Sequence, residues 1–350
     1  MKRKGSRLLL LVLFCLSVLA GAGCGNKAGT VIPSKDTSAS GELQKIIITE
    51  PARGELWAPI YVAQTLGYFK EAGLDVEFQT VSGADSGAPV IAGQAQFGFM
   101  GIEMPIGVTE AGQGVKVLLS TTQRFPYCFM SKKAFSTIPS LKGQTVAGGA
   151  ARSGSPTAWV RACLKYGGLD PDKDVNLVAM KPGSLNAAMA AGDIQACNGS
   201  GIAIHTLVEQ GAQILVDGRD PVVFKSITGS ENYEMYIMFA TDKYIAENPE
   251  TVQKVVTACT RGLKWVNEHE TEAIVDALLP LFPDKKADLL ISIKDAKDYK
   301  IFSQNGRHSE AGFNAALKMA KESGMISGNV AAEKIYDESF LNKAWATLGK

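Results

Sequence analysis

The sequence predicts an α/β fold of two similar lobes, each a central sheet flanked by helices. Length is the first observation. The body after the N-terminal 42 residues runs to about 310 residues, too many for one ordinary core and suited to two domains of about 150 each. The second is alternation: short strand-like runs exchange with amphipathic helical runs from Lys45 to about residue 200, the pattern of α/β architecture. The third is a pair of matched phrases, GQAQFG at 93–98 and GDIQAC at 192–197, each a glycine after a helix and then a strand leading to a small-residue turn.

Taken in order, residues 1–24 carry Lys2, Arg3, Lys4 and Arg7, an apolar run from Leu8 to Ala20 broken by Ser17, and then Gly21-Ala22-Gly23-Cys24. A basic start, an apolar core of that length and a small-residue exit describe an export signal, shorter than the ~20 residues of a spanning helix. Residues 25–42 are small, polar and unpatterned. They read as a flexible tether that holds the body about 20–25 Å from its anchor.

Lys45 to Glu50 is a buried first strand, and the loop Pro51–Leu56 leaves its carboxyl edge, where open α/β sheets bind ligands. Trp57 comes next, at the start of a helix with Pro59 in its first turn and Ile60, Ala63, Leu66 and Phe69 at helical spacing; Gly73 stops it. Leu74 to Val81 alternates apolar and polar residues as a strand covered on one face. A polar turn over 82–87, a short helix from Pro89 and a strand over Gln96–Met100 complete the unit, and Gly101, Ile102 and Glu103 begin the next helix. Later strands are expected at Val115–Thr121, Tyr127–Ser131, Gln144–Gly148, Asn176–Met180, Ile194–Cys197 and Met235–Phe239, with helices at Thr157–Tyr166 and Ser184–Ala191 and a helical C-terminal region from Glu250.

The run YVAQTLGYFKEAGLDVEF, a small-residue loop and then IAGQAQFGFMG resembles the substrate-binding proteins of nitrate, sulfonate, taurine and thiamine-precursor ABC transporters. The likeness extends more weakly from about Lys45 to about His269. It implies a two-lobe periplasmic-binding-protein-like fold of type II with two hinge strands, Phe125–Ser131 paired with Glu234–Ala240. Lobe 1 would be 43–125 and 240–350, and lobe 2 126–239. It implies a small organic molecule or oxyanion of the sulfonate, nitrate, taurine or thiamine-pyrimidine class as the ligand between the lobes, an ABC permease and its ATPase as partners, a monomer, and no cofactor. Cys24 is similar to the acylated cysteine of bacterial lipoproteins, although Gly21 stands where such signals prefer Leu. The resemblance implies an exported, membrane-anchored protein.

Four loops should converge on the ligand. The first ends at Trp57, which either lines the cleft or joins the core. Ser82 and Gly83 offer a hydroxyl and backbone N–H groups for an anion. Ser153, Gly154, Ser155 and Thr157 combine hydroxyls with a helix N-terminus, which suits an anion or simple capping by Ser155. Gly199 and Ser200 lie in Asn198–Gly201, where relatives often carry an acidic residue or a Trp-Glu-Pro phrase. Gly101 and Ile102 flank the cleft beside Glu103, which is either a solvated helix-start residue or a partner for an amine or a hydrogen-bond donor. Phe125 and Tyr127 could stack on a planar ligand, and His205 reads as a core or rim histidine.

Other classes are disfavoured. Without the signal, 32 basic residues stand against 35 acidic ones, with no basic stripe for nucleic acid. GxSxG, HExxH, GxGxxG and GxxxxGK[ST] do not occur, so the expected protein is not an enzyme. Related folds do carry biosynthetic enzymes, and a sensory ectodomain would share every pocket feature. Cys128, Cys163, Cys197 and Cys259 are irregularly spaced in apolar segments, consistent with buried thiols, and no CxxC suggests a metal site.

Overall fold

The computed structural model describes residues 42–82, 86–149 and 154–349; the expected signal, Cys24, Gly83 and Ser153 lie outside them. The strands are β1 (Gln44–Glu50), β2 (Leu74–Thr80), β3 (Phe97–Met100), β4 (Val115–Ser120), β5 (Tyr127–Lys132), β6 (Thr145–Ala147), β7 (Asn176–Val178), β8 (Ala196–Ser200), β9 (Ala212–Asp217) and β10 (Ile237–Thr241). They form two five-stranded sheets, β2-β1-β3-β10-β4 and β7-β6-β8-β5-β9. In each sheet the first three strands run parallel and the fourth, β10 or β5, is antiparallel to both neighbours. The two orders are the same once the antiparallel strands β10 and β5 are set against each other and the other four strands of each sheet are counted in chain order.

That equivalence explains the matched phrases. Gln96 accepts a hydrogen bond from the Ile47 N–H at 2.7 Å and donates its own N–H to the Ile47 carbonyl. Gln195 does the same to Thr145, accepting its N–H at 3.0 Å. In each lobe a glutamine just ahead of β3 or β8 pairs with the neighbouring parallel strand, at Ile47 within β1 and at Thr145 at the start of β6, so backbone groups that would be left unpaired are satisfied. The phrases lead into β3 and β8, which end at the corresponding turns Gly101-Ile102 and Gly201-Ile202.

The opening helix differs from its sequence reading. Gly67, with φ +80°, divides it into Ala58–Thr65 and Tyr68–Glu71, and Gly73 repeats the left-handed turn at φ +80°. Glycine takes that conformation without Cβ strain. The first helix is enclosed all round over residues 58–63, and the second buries Phe69.

The crossings between lobes also differ in place. β5 and β10 lie in different sheets and do not pair with one another. Instead Thr121 N donates to the Tyr236 carbonyl at 2.8 Å, Tyr233 N to the Gln123 carbonyl at 3.0 Å, and Tyr236 N to Thr122 Oγ1 at 3.0 Å. A third segment joins them: Gln123 N donates to the Ile301 carbonyl and Ser303 N to the Thr121 carbonyl. The chain between the lobes is thus pinned on two sides.

The C-terminal helices reach across. Lys286–Asp298 packs on the helix Ile202–Glu209 and on the turn Glu55–Trp57, while Glu310–Glu322 packs on Ser155–Tyr166 and Pro221–Thr228. Phe125, expected to stack on a ligand or join the core, is core: it is enclosed by Phe224 at 4.8 Å, Trp159 at 4.8 Å and Tyr233 at 4.9 Å. Cys128, Cys163, Cys197 and Cys259 are buried and unpaired. Burial pushes the Cys197 thiol up to about 12 and the others well above the ordinary range. Among the described residues no helix is long and apolar enough to cross a membrane.

Candidate functional site

The carboxyl edges of β1, β3, β6 and β8 face one another across a seam between the lobes. From β3 the chain turns through Gly101 into the helix Glu103–Glu110, and Glu103 is buried, 1% exposed. Its Oε2 accepts from the Ser155 hydroxyl on the far side of the seam, and its Oε1 from the hydroxyl of Tyr233 in the connection between lobes. Burial holds its carboxyl above the ordinary range against these two donors. Glu103 is therefore not the solvated helix-start residue that its position allows. It is a buried acceptor joining both lobes and their connection.

A second carboxylate crosses the seam from the loop after β1. Glu55, 6% exposed, accepts the Ile202 N–H at 2.9 Å and the Ser292 hydroxyl at 2.5 Å. Ile202 opens a helix whose first N–H groups lack partners within the helix itself. Both close approaches depend on glycine. A Cβ at Gly101 would stand 2.1 Å from Ser155 Oγ, and one at Gly201 1.9 Å from Glu55 Oε1.

Between the two carboxylates lies an aromatic patch. Trp57 is 3% exposed, its ring 4.3 Å from that of Tyr236 and 5.5 Å from that of Phe99. The Tyr127, Tyr236 and Ser200 hydroxyls are neighbours here, close enough to perturb the titration of both tyrosines. Desolvation, ahead of these neighbours, pushes Tyr127 up to about 12, with the Glu103 charge adding to the shift; Tyr236 rises well above its usual value, with Glu55 contributing. One tyrosine pair thus feels Glu103 at one end and Glu55 at the other.

The structure brings together Trp57, Gly101, Glu103, Tyr127, Ser155 and Ser200. Other expected site residues are placed elsewhere. Ile102 is fully buried at the helix start. Gly199 sits within β8 opposite Cys128, its Cα facing Met130, Ile204 and Leu207, so it serves packing. Thr157 is buried and accepts the Gly149 N–H at 2.8 Å, which fastens the loop after β6. Gly154 takes the N-cap position of Ser155–Tyr166 at φ 120° and donates its N–H to Met325 Sδ. Ser155 does not cap that helix, because its hydroxyl is given to Glu103. Ser82 is exposed at the end of β2's loop, and Gly83 and Ser153 lie outside the described residues. His205 is a rim histidine, its Nε2 3.0 Å from Asp295 Oδ2.

Sequence reasoning passed over Glu55, Tyr233, Tyr236 and Asp295. Glu55 carried a usable signal, an acid two residues before Trp57 in a strand-edge loop. The tyrosines carried none, since their partners lie more than a hundred residues away.

YtlA of Bacillus subtilis is 24% identical to this chain over 309 residues, covering 86% of this chain and 90% of YtlA. The riboflavin-binding protein RibY of Chloroflexus aurantiacus is 23% identical over 359 residues, covering 96% and 98%. Among solved structures, the alkanesulfonate-binding protein SsuA of Xanthomonas axonopodis, bound to MOPS, superposes with a TM-score of 0.66 at 15% identity, covering 85% of this chain and 99% of SsuA. The desulfurization enzyme DszB superposes with a TM-score of 0.61 at 16% identity, covering 87% and 100%. These superpositions show the two-lobe fold, and fold alone does not assign an activity. The NMT1/THI5-like family model matches residues 56–273, and the chain belongs to that family.

Proposed function

We propose that the protein is an exported solute-binding protein of an ABC importer, anchored through Cys24, which captures a small organic molecule between its lobes as a monomer and delivers it to a permease. Lobe 1 is drawn as 43–125 with 240–350, and lobe 2 as 126–239. One observation carries the reading: Glu103 is shared by donors from the opposite lobe and from the connection between lobes, so the site is complete only when the lobes meet. Closure on a ligand is the motion such a hinged pair performs. Separate features favour binding over catalysis. Ser155 is hydrogen-bonded to a carboxylate and not to a histidine, and burial raises every described thiol away from its nucleophilic form.

The test is a thermal-shift screen of the chain without its signal, and then small-angle scattering with any binder. A ligand at a hundred times its Kd adds about 2.7 kcal/mol to the folded state, and closure should lower the radius of gyration. A ligand recovered chemically altered would replace this reading with an enzyme on the same lobes. A saturating ligand that left the radius unchanged would remove closure.

A further inference from the structure

We infer that the ligand taken between the lobes carries positive charge, as an amine, ammonium or amidinium on a small organic frame; this rests on the solute-binding reading above. Three observations lead there. Glu55 and Glu103 are both buried at the seam, and among the described residues no Arg or Lys pairs with either. A buried carboxylate held only by neutral donors lacks the compensating charge that buried ions otherwise require. A cationic ligand would supply it.

At two helix starts on the seam that would suit an anion, the chain has placed a carboxylate of its own. A helix N-terminus attracts negative charge through its free N–H groups. At the helix Ile202–Glu209 that place is taken by Glu55, which accepts the Ile202 N–H at 2.9 Å. At Ser155–Tyr166 it is approached by Glu103 through the Ser155 hydroxyl. Gly101 and Gly201 make room for these carboxylates, since a Cβ at either would collide with the groups so placed. The chain therefore brings its own anions to both termini.

The residues between the carboxylates are aromatic: Trp57, Tyr127 and Tyr236 are buried there, with Trp57 against Tyr236. Ring faces attract cations, more strongly where water is excluded. Two carboxylates flanking such a patch match an organic cation and oppose an oxyanion.

Calorimetric titration of the signal-free chain tests this with agmatine, choline and benzylammonium as cations, ethanesulfonate, nitrate and benzoate as anions, and riboflavin as a neutral molecule. The same titrations are run on Glu103→Gln and Glu55→Gln, which keep side-chain shape and one acceptor oxygen while removing the carboxylate charge. The expected result is binding from the cation set only, weakened at least tenfold by either variant. An anion or riboflavin binding in preference to the cations, with Trp57→Ala abolishing it, would overturn the charge assignment and leave the solute-binding reading standing. Cation binding unmoved by both variants would place the charge elsewhere and equally overturn it. Silence of all seven probes, from a chain with a cooperative melt, would overturn both readings.

Discussion

A methyl group at Gly101 should act as a wedge between the lobes. The Cβ of Gly101→Ala would lie 2.1 Å from Ser155 Oγ and 2.9 Å from Glu103 Oε2, where ordinary contact begins at 3.4 Å. Something must therefore yield by about 1.3 Å at this one point. Gly101 does not occupy the left-handed region, so alanine adopts its backbone without strain, and the effect is confined to the seam. The local escape is rotation of the Ser155 hydroxyl, which removes one of the two donors that reach Glu103. Stranding a buried acceptor costs about 1–3 kcal/mol, which lowers the closed-to-open ratio roughly five- to 150-fold. The other escape is separation of the lobes, with the same sign. Small-angle scattering with and without ligand, and the ligand's Kd, measure the effect. Gly107→Ala is the control: it lies in the helix Glu103–Glu110 with nothing within 4 Å of its added Cβ, and it should stabilise by up to about 1 kcal/mol. A Gly101→Ala chain that closed and bound like its parent would refute the reasoning, since the contact it must break would then carry no part of closure.

Four further outcomes are expected. Asp295 Oδ2 receives Arg219 Nη1 at 2.7 Å and His205 Nε2 at 3.0 Å from a helix that packs on both sides of the seam, so Asp295→Asn should speed ligand release about five- to thirtyfold by stopped flow; an unchanged rate would make this tie incidental. Phe125→Ala, which empties a site enclosed by four aromatic rings, should cost about 3–5 kcal/mol in denaturant unfolding, and a loss under about 1 would contradict the packing. The Glu103 carboxyl is held above its ordinary 4.5, so the folded chain keeps a proton that the unfolded chain releases, and stability must fall as pH rises from about 4.5 through the folded value. Glu103→Gln should flatten that decline without abolishing it, because Glu234 is raised in the same direction by burial; identical slopes would mean that Glu103 is not buried as described. Finally, Cys24→Ala should move the protein from the membrane fraction to the soluble fraction of its host, and full retention would end the lipid-anchor proposal.

The architecture was readable in the sequence because local rules govern it. A strand of period two, such as Leu74–Thr80, and a glycine at a helix end can be recognised without knowing what they meet. The matched glutamines were visible as a repeat, and only the structure shows that Gln96 and Gln195 each pair with the backbone of the neighbouring parallel strand, β1 or β6. The break at Gly67 was missed because Leu66 and Phe69 continue the apolar spacing on both sides of it, so periodicity outvoted the glycine. At the site, Trp57, Glu103, Ser155 and Ser200 are legible because each lies at or just beyond the carboxyl end of a strand. Strand-edge reasoning finds positions and cannot find partners. Nothing local to Glu103 indicates Tyr233, 130 residues away, nor does anything at Glu55 indicate Ile202 or Ser292. Gly199 was misplaced for a related reason: it adjoins the turn in sequence, yet alternation along β8 points it into the core while Ser200 faces the seam.

The likeness of the two lobes makes their difference at the seam informative. Corresponding turns end β3 and β8, Gly101-Ile102 and Gly201-Ile202, and both glycines admit a close neighbour. The neighbours are not equivalent. Both carboxylates, Glu55 in the loop after β1 and Glu103 at the start of the helix after β3, follow strands of the first sheet, whereas the Ser155 hydroxyl and the Ile202 N–H that donate to them follow strands of the second. One lobe thus carries both carboxyls and the other gives each of them one donor, the second donor being Ser292 of the first lobe for Glu55 and Tyr233 of the connection for Glu103. Separation of the lobes would return both carboxylates to water, where they need no partner, while closure withdraws them and leaves two neutral donors for each. Closing the empty seam therefore bears a desolvation cost that those donors only partly offset. A ligand bearing positive charge would remove that cost at the same moment as it fills the space. Ligand charge and lobe closure are then coupled through the same two side chains, and Glu55→Gln or Glu103→Gln should ease closure of the empty protein while weakening the closed complex.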